Sequence, residues 1–164
     1  MSENRETLVD LEIEADGWLS VLPDARAVVE TGIGAALAAA GFAGSADIAV
    51  LLCDDAEMRK LNKTYRHKDR PTNVLSFPAP GSMRITGVFD HLGDIAMGLE
   101  TCLAEAADQG KSLKNHVLHL SVHGALHLLG YDHEDDAGAR TMEALERDIL
   151  RGLGVADPYA ESHG

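Results

Sequence analysis

Three histidines in the segment HGALHLLGYDH, residues 123–133, have the spacing of a helical metal site. His123 and His127 lie four residues apart, so one face of a helix would present both imidazoles. Gly130 permits a left-handed turn after the helix, and that turn can bring His133 back to the same ion. Three neutral imidazoles leave the fourth tetrahedral position of zinc for water, as a catalytic site requires. The spacing therefore predicts a catalytic zinc site with these three ligands.

The same helical face carries two further histidines, His116 and His119, at the preceding turns. His119 and His127 are eight residues apart, about 12 Å along a helix axis, so one ion cannot bind both. The sequence around His119 and His123 offers no third donor for that pair. We therefore expect His116 and His119 to support the ligands or to face the substrate. The alternative interpretation is that the histidines are partly buried and form hydrogen bonds without a metal.

Gly124 occupies the position at which zinc proteases of the H-E-x-x-H type place a glutamate. That glutamate deprotonates the metal-bound water, and glycine cannot replace it. Peptide hydrolysis by this mechanism is therefore disfavoured, and the glycine indicates close packing or close approach of a substrate. A phosphodiester depends more on neutralisation of charge at the phosphorus, which a metal and an arginine can supply.

A basic segment, RKLNKTYRHKDR at 59–70, contrasts with a chain whose formal net charge is −13. The segment holds six Lys or Arg residues and one acid, whereas the remainder holds eight basic and 26 acidic residues. A local positive strip of this kind can bind a phosphate backbone while the acidic remainder repels other polyanions. The alternative interpretation is a solvated helix end whose charges only maintain solubility.

Hydrophobic alternation, capping residues and glycines predict an α+β fold with a small mixed sheet of about four strands and about five helices. Strands are expected at 8–14, 46–53, 73–77 and 92–99, the first of them at a sheet edge. Helices are expected at 24–41, from 55 to about 64, up to about 109, at 112–130, and from 135 or 136 to about 151. Residues 79–91 are expected to form a loop. The zinc site would then lie at the end of a central helix.

A single domain spanning 1–164 is the simplest organisation, because the chain has no repeat, low-complexity tract or linker. The ends, 1–6 and 157–164, are expected to be loosely held. Cys53 and Cys102 lie far apart in apolar contexts, which indicates buried reduced thiols in a cytoplasmic protein. The first residues do not resemble a signal peptide and no apolar run is long enough to cross a bilayer, so no membrane partner is expected.

The segment HGALHLLGYDH closely resembles the signature of the bacterial YbeY family, the metal-dependent endoribonucleases of ribosomal RNA maturation. LNKTYRHKDRPTNVLSFP at 61–78 and LGDIAM at 92–97 resemble two other blocks of that family, in the same order. The resemblance implies an α+β fold with one zinc ion held by His123, His127 and His133. It implies single-strand-specific cleavage at the 3′ end of small-subunit (16S) ribosomal RNA and a part in ribosome quality control. The implied partners are ribosomal RNA and the small ribosomal subunit.

The resemblance also implies a functionally essential arginine at Arg66, which the charge pattern places in the basic strip. At a bound ion the pKa of water falls towards neutrality, and Arg66 would bind the non-bridging oxygens of the scissile phosphate. Asp132 is expected either to orient a ligand imidazole or to cap a turn. The residues expected to contact flanking phosphates are Arg59, Lys60, Lys63 and Lys68.

Two other functions are compatible with the same residues. One is a zinc-dependent peptidase or other small-substrate hydrolase, and the other is a non-catalytic ribosome-associated factor whose metal is structural. Three imidazoles also suit nickel or cobalt, so the native metal stays open. Either water or the 2′-hydroxyl of the substrate can act as the nucleophile. No DNA partner is expected, and no oligomeric state is predicted.

Overall fold

The structure, a computed structural model, describes residues 7–42, 45–79, 90–131 and 135–155, without the side chain of Asp90. These ranges form four strands and six helices. The strands are β1 (Thr7–Ile13), β2 (Ala46–Cys53), β3 (Val74–Pro78) and β4 (Asp90–Gly98). The helices are α1 (Gly17–Val21), α2 (Ala25–Ala39), α3 (Asp55–Arg66), α4 (Leu99–Asp108), α5 (Leu113–Leu128) and α6 (Asp136–Gly152). The predicted α+β class is confirmed.

The sheet is mixed, as the sequence predicts, with the strand order β1-β2-β4-β3. β1 and β4 pair with β2 in the parallel sense, whereas β3 pairs with β4 in the antiparallel sense. β1 lies at one edge, which agrees with its alternating sequence and its largely exposed polar face. In the inner strand β2, every second residue is buried in one core, as shown by Ile48, Val50 and Leu52.

The helices cover the two faces of the sheet unequally. α2, α4, α5 and α6 bury apolar side chains in the main core with Ile48, Val50 and Ile95 of the sheet. α3 covers the other face through a small cluster of buried residues: Cys53, Met58, Leu75 and Ala96. Burial of one large aliphatic side chain stabilises a fold by about 1.5–3 kcal/mol, so the main core supplies most of the stability.

The central helix α5 contacts α2, α4, α6, β3 and β4. Ser112 caps it as predicted, because its hydroxyl accepts a hydrogen bond from the Asn115 backbone N–H at 3.0 Å. Gly130 follows the helix with a φ of 102°, a value that residues with a Cβ rarely adopt. α2 approaches α5 closely at Gly32, where a Cβ would lie only 2.7 Å from the Cβ of Ser121. These features position the histidine-bearing helix at the centre of the fold.

The boundaries of α3 and β4 differ slightly from the prediction. Asp54 caps α3 as expected, since its Oδ1 accepts the Glu57 N–H at 2.8 Å. The helix continues two residues beyond position 64 and ends at Arg66. β4 begins at Asp90, so residues 90 and 91, which were predicted to end the loop at 79–91, belong to the strand.

The short helix α1 was not predicted from the sequence. Trp18 anchors it, because the buried indole N–H donates a hydrogen bond to the backbone oxygen of Cys53 at 2.8 Å. Cys53 and Cys102 are free and buried, as predicted. Burial, with a smaller effect of nearby carboxylates, raises the pKa of Cys53 to about 12, so this thiol is protonated at neutral pH.

Asp135 caps α6, because its Oδ1 accepts the Gly138 N–H at 2.6 Å, and the helix begins at Asp136, so the predicted start at 135 or 136 is confirmed. The ends predicted to be loose, 1–6 and 157–164, lie outside the described residues, as does the 80–89 part of the predicted loop. Within the described ranges, the helices are too short or too polar to cross a membrane.

Candidate active site

The predicted stripe of histidines is present on α5. Adjacent rings along the stripe have centroid separations of 6.3 Å (His116 and His119), 6.1 Å (His119 and His123) and 4.6 Å (His123 and His127). His116 is buried, and the other three are half-buried. Because a buried imidazole needs hydrogen-bonding partners, the partner of each ring indicates what that histidine does.

His116 connects three elements of the core. Its Nε2 lies 2.8 Å from Oε1 of Glu105 on α4, and the same oxygen accepts the Asn73 side-chain N–H at 2.9 Å. Burial lowers the pKa of His116, and Lys111 and His119 lower it further, while Glu105 acts in the opposite direction. Because His116 is buried and its Nε2 faces Glu105, the structure supports a packing role for this residue, and a contact with the substrate stays a prediction.

A residue that the sequence reasoning missed, Glu146 of α6, binds two histidines of the stripe. Its Oε1 lies 2.9 Å from His119 Nε2 and its Oε2 lies 2.6 Å from His123 Nδ1. Glu146 is fully buried, although glutamate is rarely so. The sequence does contain a signal, because Glu146 shares one face of α6 with the buried Met142 and Leu150. A single acid on an apolar stripe indicates a buried polar contact.

Within the described residues, His119, His123 and Glu146 form the one group of three whose ligand atoms lie close enough to hold a metal ion. The sequence next to His119 and His123 contains no third donor. Glu146 of α6, which follows His123 by 23 residues in the sequence, supplies such a donor. Two candidate sets of ligands therefore share His123. One consists of His119, His123 and Glu146, and the other is the predicted set of His123, His127 and His133.

His123 and His127, two of the three predicted ligands, face each other through their Nε2 atoms at 3.1 Å. Two imidazole nitrogens bound to one tetrahedral zinc at 2.0–2.1 Å are separated by about 3.3 Å. The observed distance is close to that value, and neutral imidazole is a good zinc donor. The residues present therefore fit a zinc ion bound through the Nε2 atoms.

The third predicted ligand, His133, and the neighbouring Asp132 lie outside the described residues. Their roles therefore stay predictions. The described chain ends its helix as those predictions require, because Gly130 has a positive φ and Tyr131 N–H donates a hydrogen bond back to the Leu126 oxygen at 3.1 Å.

Gly124, beside His123, serves close packing of α5 on the sheet. A Cβ at this position would lie 3.0 Å from Ile95 Cδ1 and 3.3 Å from Ser76 Oγ. Of the two explanations for this glycine, the structure supports packing. A glutamate here would point at the sheet, so the H-E-x-x-H mechanism is excluded by geometry as well as by residue type.

Arg66, the last residue of α3, is held against β3. Its Nη2 donates a hydrogen bond to the backbone oxygen of Ser76 at 2.7 Å. Its guanidinium carbon lies 5.6 Å from the centre of the Phe77 ring. Ser76 Oγ in turn donates to the Gly124 oxygen on α5 at 3.2 Å. Arg66 is thus connected through one strand residue to the helix turn that carries His123.

The other residues of the predicted basic strip are exposed on or after α3. Arg59 forms a two-point ion pair with Asp69, with contacts of 2.6 and 3.1 Å. This pairing raises the pKa of Arg59 and lowers that of Asp69, chiefly through the hydrogen bond between them. Lys60, Lys63 and Lys68 are exposed. Arg59 thus shares its guanidinium with Asp69, whereas no ion pair of the three lysines is found among the described residues.

A groove of about 490 Å³ lies on the face of the sheet opposite α5. Leu51, Leu61 and Tyr65 line its apolar part, and the acids Asp10, Glu12 and Asp94 line its polar part, with no histidine among the described residues of its walls. Carboxylates repel a phosphate backbone, so this groove is separate from the candidate metal site and unsuited to RNA.

Several known proteins that share one name are similar in sequence to this chain over most of its length. The profile of the family described as Endoribonuclease YbeY matches residues 16–154. The Endoribonuclease YbeY of Chelativorans sp. (strain BNC1) is 53% identical over 82% of this chain and 83% of the relative. The protein of the same name from Rhodopseudomonas palustris (strain HaA2) is 47% identical over 98% of this chain and 86% of its own length. That of Azorhizobium caulinodans is 48% identical, with coverages of 93% and 96%.

The fold is also similar to a solved structure, the solution structure of TM1509 from Thermotoga maritima. The TM-score is 0.52 at 22% sequence identity, and the match covers 94% of this chain and 100% of the other. This likeness concerns the fold alone. The family profile carries the functional comparison, because its match over residues 16–154 includes α3, β3 and the whole of α5. The chain therefore belongs to the endoribonuclease YbeY family, enzymes that hydrolyse phosphodiester bonds in RNA.

Proposed function

We propose that the protein is a metal-dependent, single-strand-specific endoribonuclease that matures the 3′ end of small-subunit ribosomal RNA. The observation that supports this most is the convergence of His123 Nε2 and His127 Nε2, 3.1 Å apart, on the helix to which Ser76 links Arg66. The proposed partners are ribosomal RNA and the small ribosomal subunit, in the cytoplasm. A part in ribosome quality control follows from the same substrate.

The proposed metal is one zinc ion held by His123, His127 and His133. Zinc would lower the pKa of a bound water and withdraw charge from the scissile phosphate. The protein orients the donors: α5 fixes the first two imidazoles, and the turn at Gly130 ends that helix three residues before His133 in the sequence. In this proposal Asp132 orients a ligand imidazole. Nickel and cobalt accept the same donors, so metal analysis of purified protein belongs to the test.

Arg66 is proposed to bind the scissile phosphate. Its hydrogen bond to the Ser76 oxygen uses one of five N–H donors, and the Phe77 ring lies near the guanidinium. In the described part of the chain, the guanidinium forms no other hydrogen bond. The remaining donors can therefore bind the non-bridging oxygens, whose negative charge increases as the phosphorus gains a fifth oxygen.

The exposed lysines of the strip, Lys60, Lys63 and Lys68, are proposed to contact the phosphates flanking the cleavage site. Arg59 belongs to the same proposal, with the difference that Asp69 must share its guanidinium. For single-stranded RNA each contacted phosphate changes the slope of log K against log salt by about −0.7. Replacement of the three lysines by alanine should therefore reduce that slope by about 2.

The test uses a 3′-extended fragment of small-subunit rRNA with metal-loaded wild type, Arg66→Ala and Arg140→Ala. Arg140 is a matched control, because it is an exposed arginine on α6, outside the strip. We expect wild type and Arg140→Ala to cut alike, and Arg66→Ala to keep its metal while losing at least about 100-fold in rate.

Equal cleavage by all three proteins would contradict the role of Arg66. Absence of cleavage by the wild type, together with unfolding on metal removal, would favour a ribosome-associated factor with a structural metal. A peptidase would instead cut a peptide substrate in a metal-dependent manner. The packing of Gly124 against Ile95 and Ser76 argues against that result.

A further inference from the structure

We propose that Glu146 is the positioning residue of the metal centre, and that it sets which nitrogen of His123 is available to the ion. This inference rests on the metal site proposed above. It assigns to Glu146 and His119 a function that is not that of a ligand. The starting point is the full burial of Glu146, because a carboxylate without water must receive hydrogen bonds or a cation.

The two oxygens of Glu146 bind two different imidazoles. Oε2 lies 2.6 Å from His123 Nδ1, and Oε1 lies 2.9 Å from His119 Nε2. An ionised carboxylate only accepts hydrogen bonds, so each ring must place a proton on the nitrogen that faces Glu146. A neutral His123 then carries its proton on Nδ1 and has a lone pair on Nε2.

That lone pair points where the proposed ion needs it. His123 Nε2 faces His127 Nε2 at 3.1 Å, on the side of the ring opposite Glu146. The carboxylate therefore acts through His123, because it selects the tautomer that can bind metal through Nε2.

The distances separate this role from that of a ligand. Two ligand atoms of one tetrahedral zinc are about 3.3 Å apart, and the two Nε2 atoms, at 3.1 Å, are close to that separation. The contacts of Glu146 are shorter, at 2.6 and 2.9 Å, and are ordinary hydrogen-bond lengths. Of the two ring nitrogens of His123, Nδ1 faces Glu146 and Nε2 faces His127. The geometry favours hydrogen bonding at Nδ1 and metal binding at Nε2.

His119 completes the arrangement. By donating to Oε1 it holds the second oxygen of Glu146, so the carboxylate cannot rotate away from His123. The helix positions agree, since His119 and His123 are one turn apart and both face α6. His119 thus acts on the ion through Glu146, two hydrogen bonds away from it.

The first experiment needs no variant. Nitrogen-15 NMR of metal-free wild type identifies the protonated nitrogen of each neutral histidine. We expect His123 to carry its proton on Nδ1 and His119 to carry its proton on Nε2. A proton on Nε2 of His123 would overturn the proposal, and this test does not depend on the folding of a mutant.

The second experiment compares wild type, Glu146→Gln and Asp148→Asn by zinc competition with a chelator. Glutamine keeps the shape but replaces one accepting oxygen by a donor, so it cannot accept from both rings. Asp148→Asn is the control, because it makes the same chemical change at an exposed position of α6. We expect Glu146→Gln to lose 10–100-fold in zinc affinity and the control to lose none, with one zinc per chain in wild type.

Equal affinity of Glu146→Gln and wild type would contradict the positioning role. Two zinc ions per wild-type chain, with one lost in Glu146→Gln, would instead make Glu146 a ligand of a second site. Neither measurement uses RNA, so a failed cleavage assay leaves this result unchanged. If the wild type binds no zinc, the metal centre and the role of Glu146 are both wrong.

Discussion

Each half of α5 has a histidine that pairs with a carboxylate. In the first half the carboxylate is the more exposed partner, and in the second half the histidine is. In the first half, the side chain of His116 is 3% exposed and that of Glu105 is 33% exposed. In the second half, the side chain of His123 is 20% exposed and that of Glu146 is 0% exposed. The hydrogen bond is common to both halves. What differs is which partner can be reached from outside.

This difference separates a packing contact from a candidate site. A buried imidazole with an open carboxylate connects elements of the core, and its second nitrogen meets only protein. A partly exposed imidazole beside a buried carboxylate can present its second nitrogen to an ion, as proposed above for His123. Exposure, more than residue type or spacing, therefore distinguishes the histidines of one stripe.

The largest expected effect is on metal binding. His127→Ala removes a proposed ligand, so zinc affinity should fall by more than the 10–100-fold expected for a supporting residue. His116→Ala should leave the affinity within a few-fold of wild type, because His116 contacts Glu105 and not the ion. Chelator competition measures both. The comparison fails if His116→Ala loses metal as severely as His127→Ala.

The second effect is on stability, where we expect the larger loss for His116→Ala and the smaller loss for His127→Ala. In metal-free protein, His116→Ala should lower the free energy of unfolding by about 2 kcal/mol, because it leaves a cavity and removes a partner of Glu105. His127→Ala should cost less than about 1 kcal/mol, since that ring is half-buried. Urea unfolding followed by circular dichroism gives both values. Equal losses would show that the two halves do not differ in packing.

A smaller effect is expected on the pH dependence of stability. Burial lowers the pKa of His116 in the folded protein, while the unfolded chain keeps a value of about 6.5. Below that pH the unfolded state binds a proton that the folded state does not, so stability falls as the solution is acidified. The slope contributed by His116 is at most about 1.4 kcal/mol per pH unit.

Metal-free wild type and His116→Ala should therefore be compared by urea unfolding between about pH 5 and pH 7. The variant should show a flatter dependence. Lys111 and His119 also face His116, and their presence in both proteins cancels in the difference. A variant with an unchanged or steeper dependence would mean that His116 is protonated in the folded state.

The smallest effect is expected at Gly124. Alanine improves helix propensity by about 1 kcal/mol, whereas crowding in a packed core costs about 1–3 kcal/mol. A Cβ would meet the buried Ile95 at 3.0 Å, so we expect a net loss of about 1 kcal/mol in the free energy of unfolding. Zinc affinity should not change. A stabilised Gly124→Ala would show that the helix does not pack as closely as described.

Local signals in the sequence predicted most of the fold. The Asp54 and Ser112 caps and the turn at Gly130 each depend on residues a few positions apart, and each is confirmed. The mixed sheet was predicted because strands and helices do not alternate strictly along the chain, and the edge position of β1 was predicted from its hydrophobic alternation. α1 was missed because its five residues are too few for a periodic pattern and its anchor, Cys53, is distant in sequence.

The candidate site was only partly predictable, for the same reason. The spacing of His123 and His127 is local, and their ring nitrogens do converge. Glu146 was missed because its contacts to His119 and His123 span 27 and 23 residues. The link from Arg66 to α5 through Ser76 is likewise a tertiary contact that charge and spacing do not contain.

The central claim is that RNA cleavage depends on the metal held at the end of α5. The most direct measurement follows cleavage of the rRNA fragment by metal-free wild type, by the same protein with one equivalent of zinc, and by zinc-treated His127→Ala. We predict cleavage by the zinc-loaded wild type alone. Cleavage at an equal rate by the metal-free protein in the presence of a chelator would contradict the account.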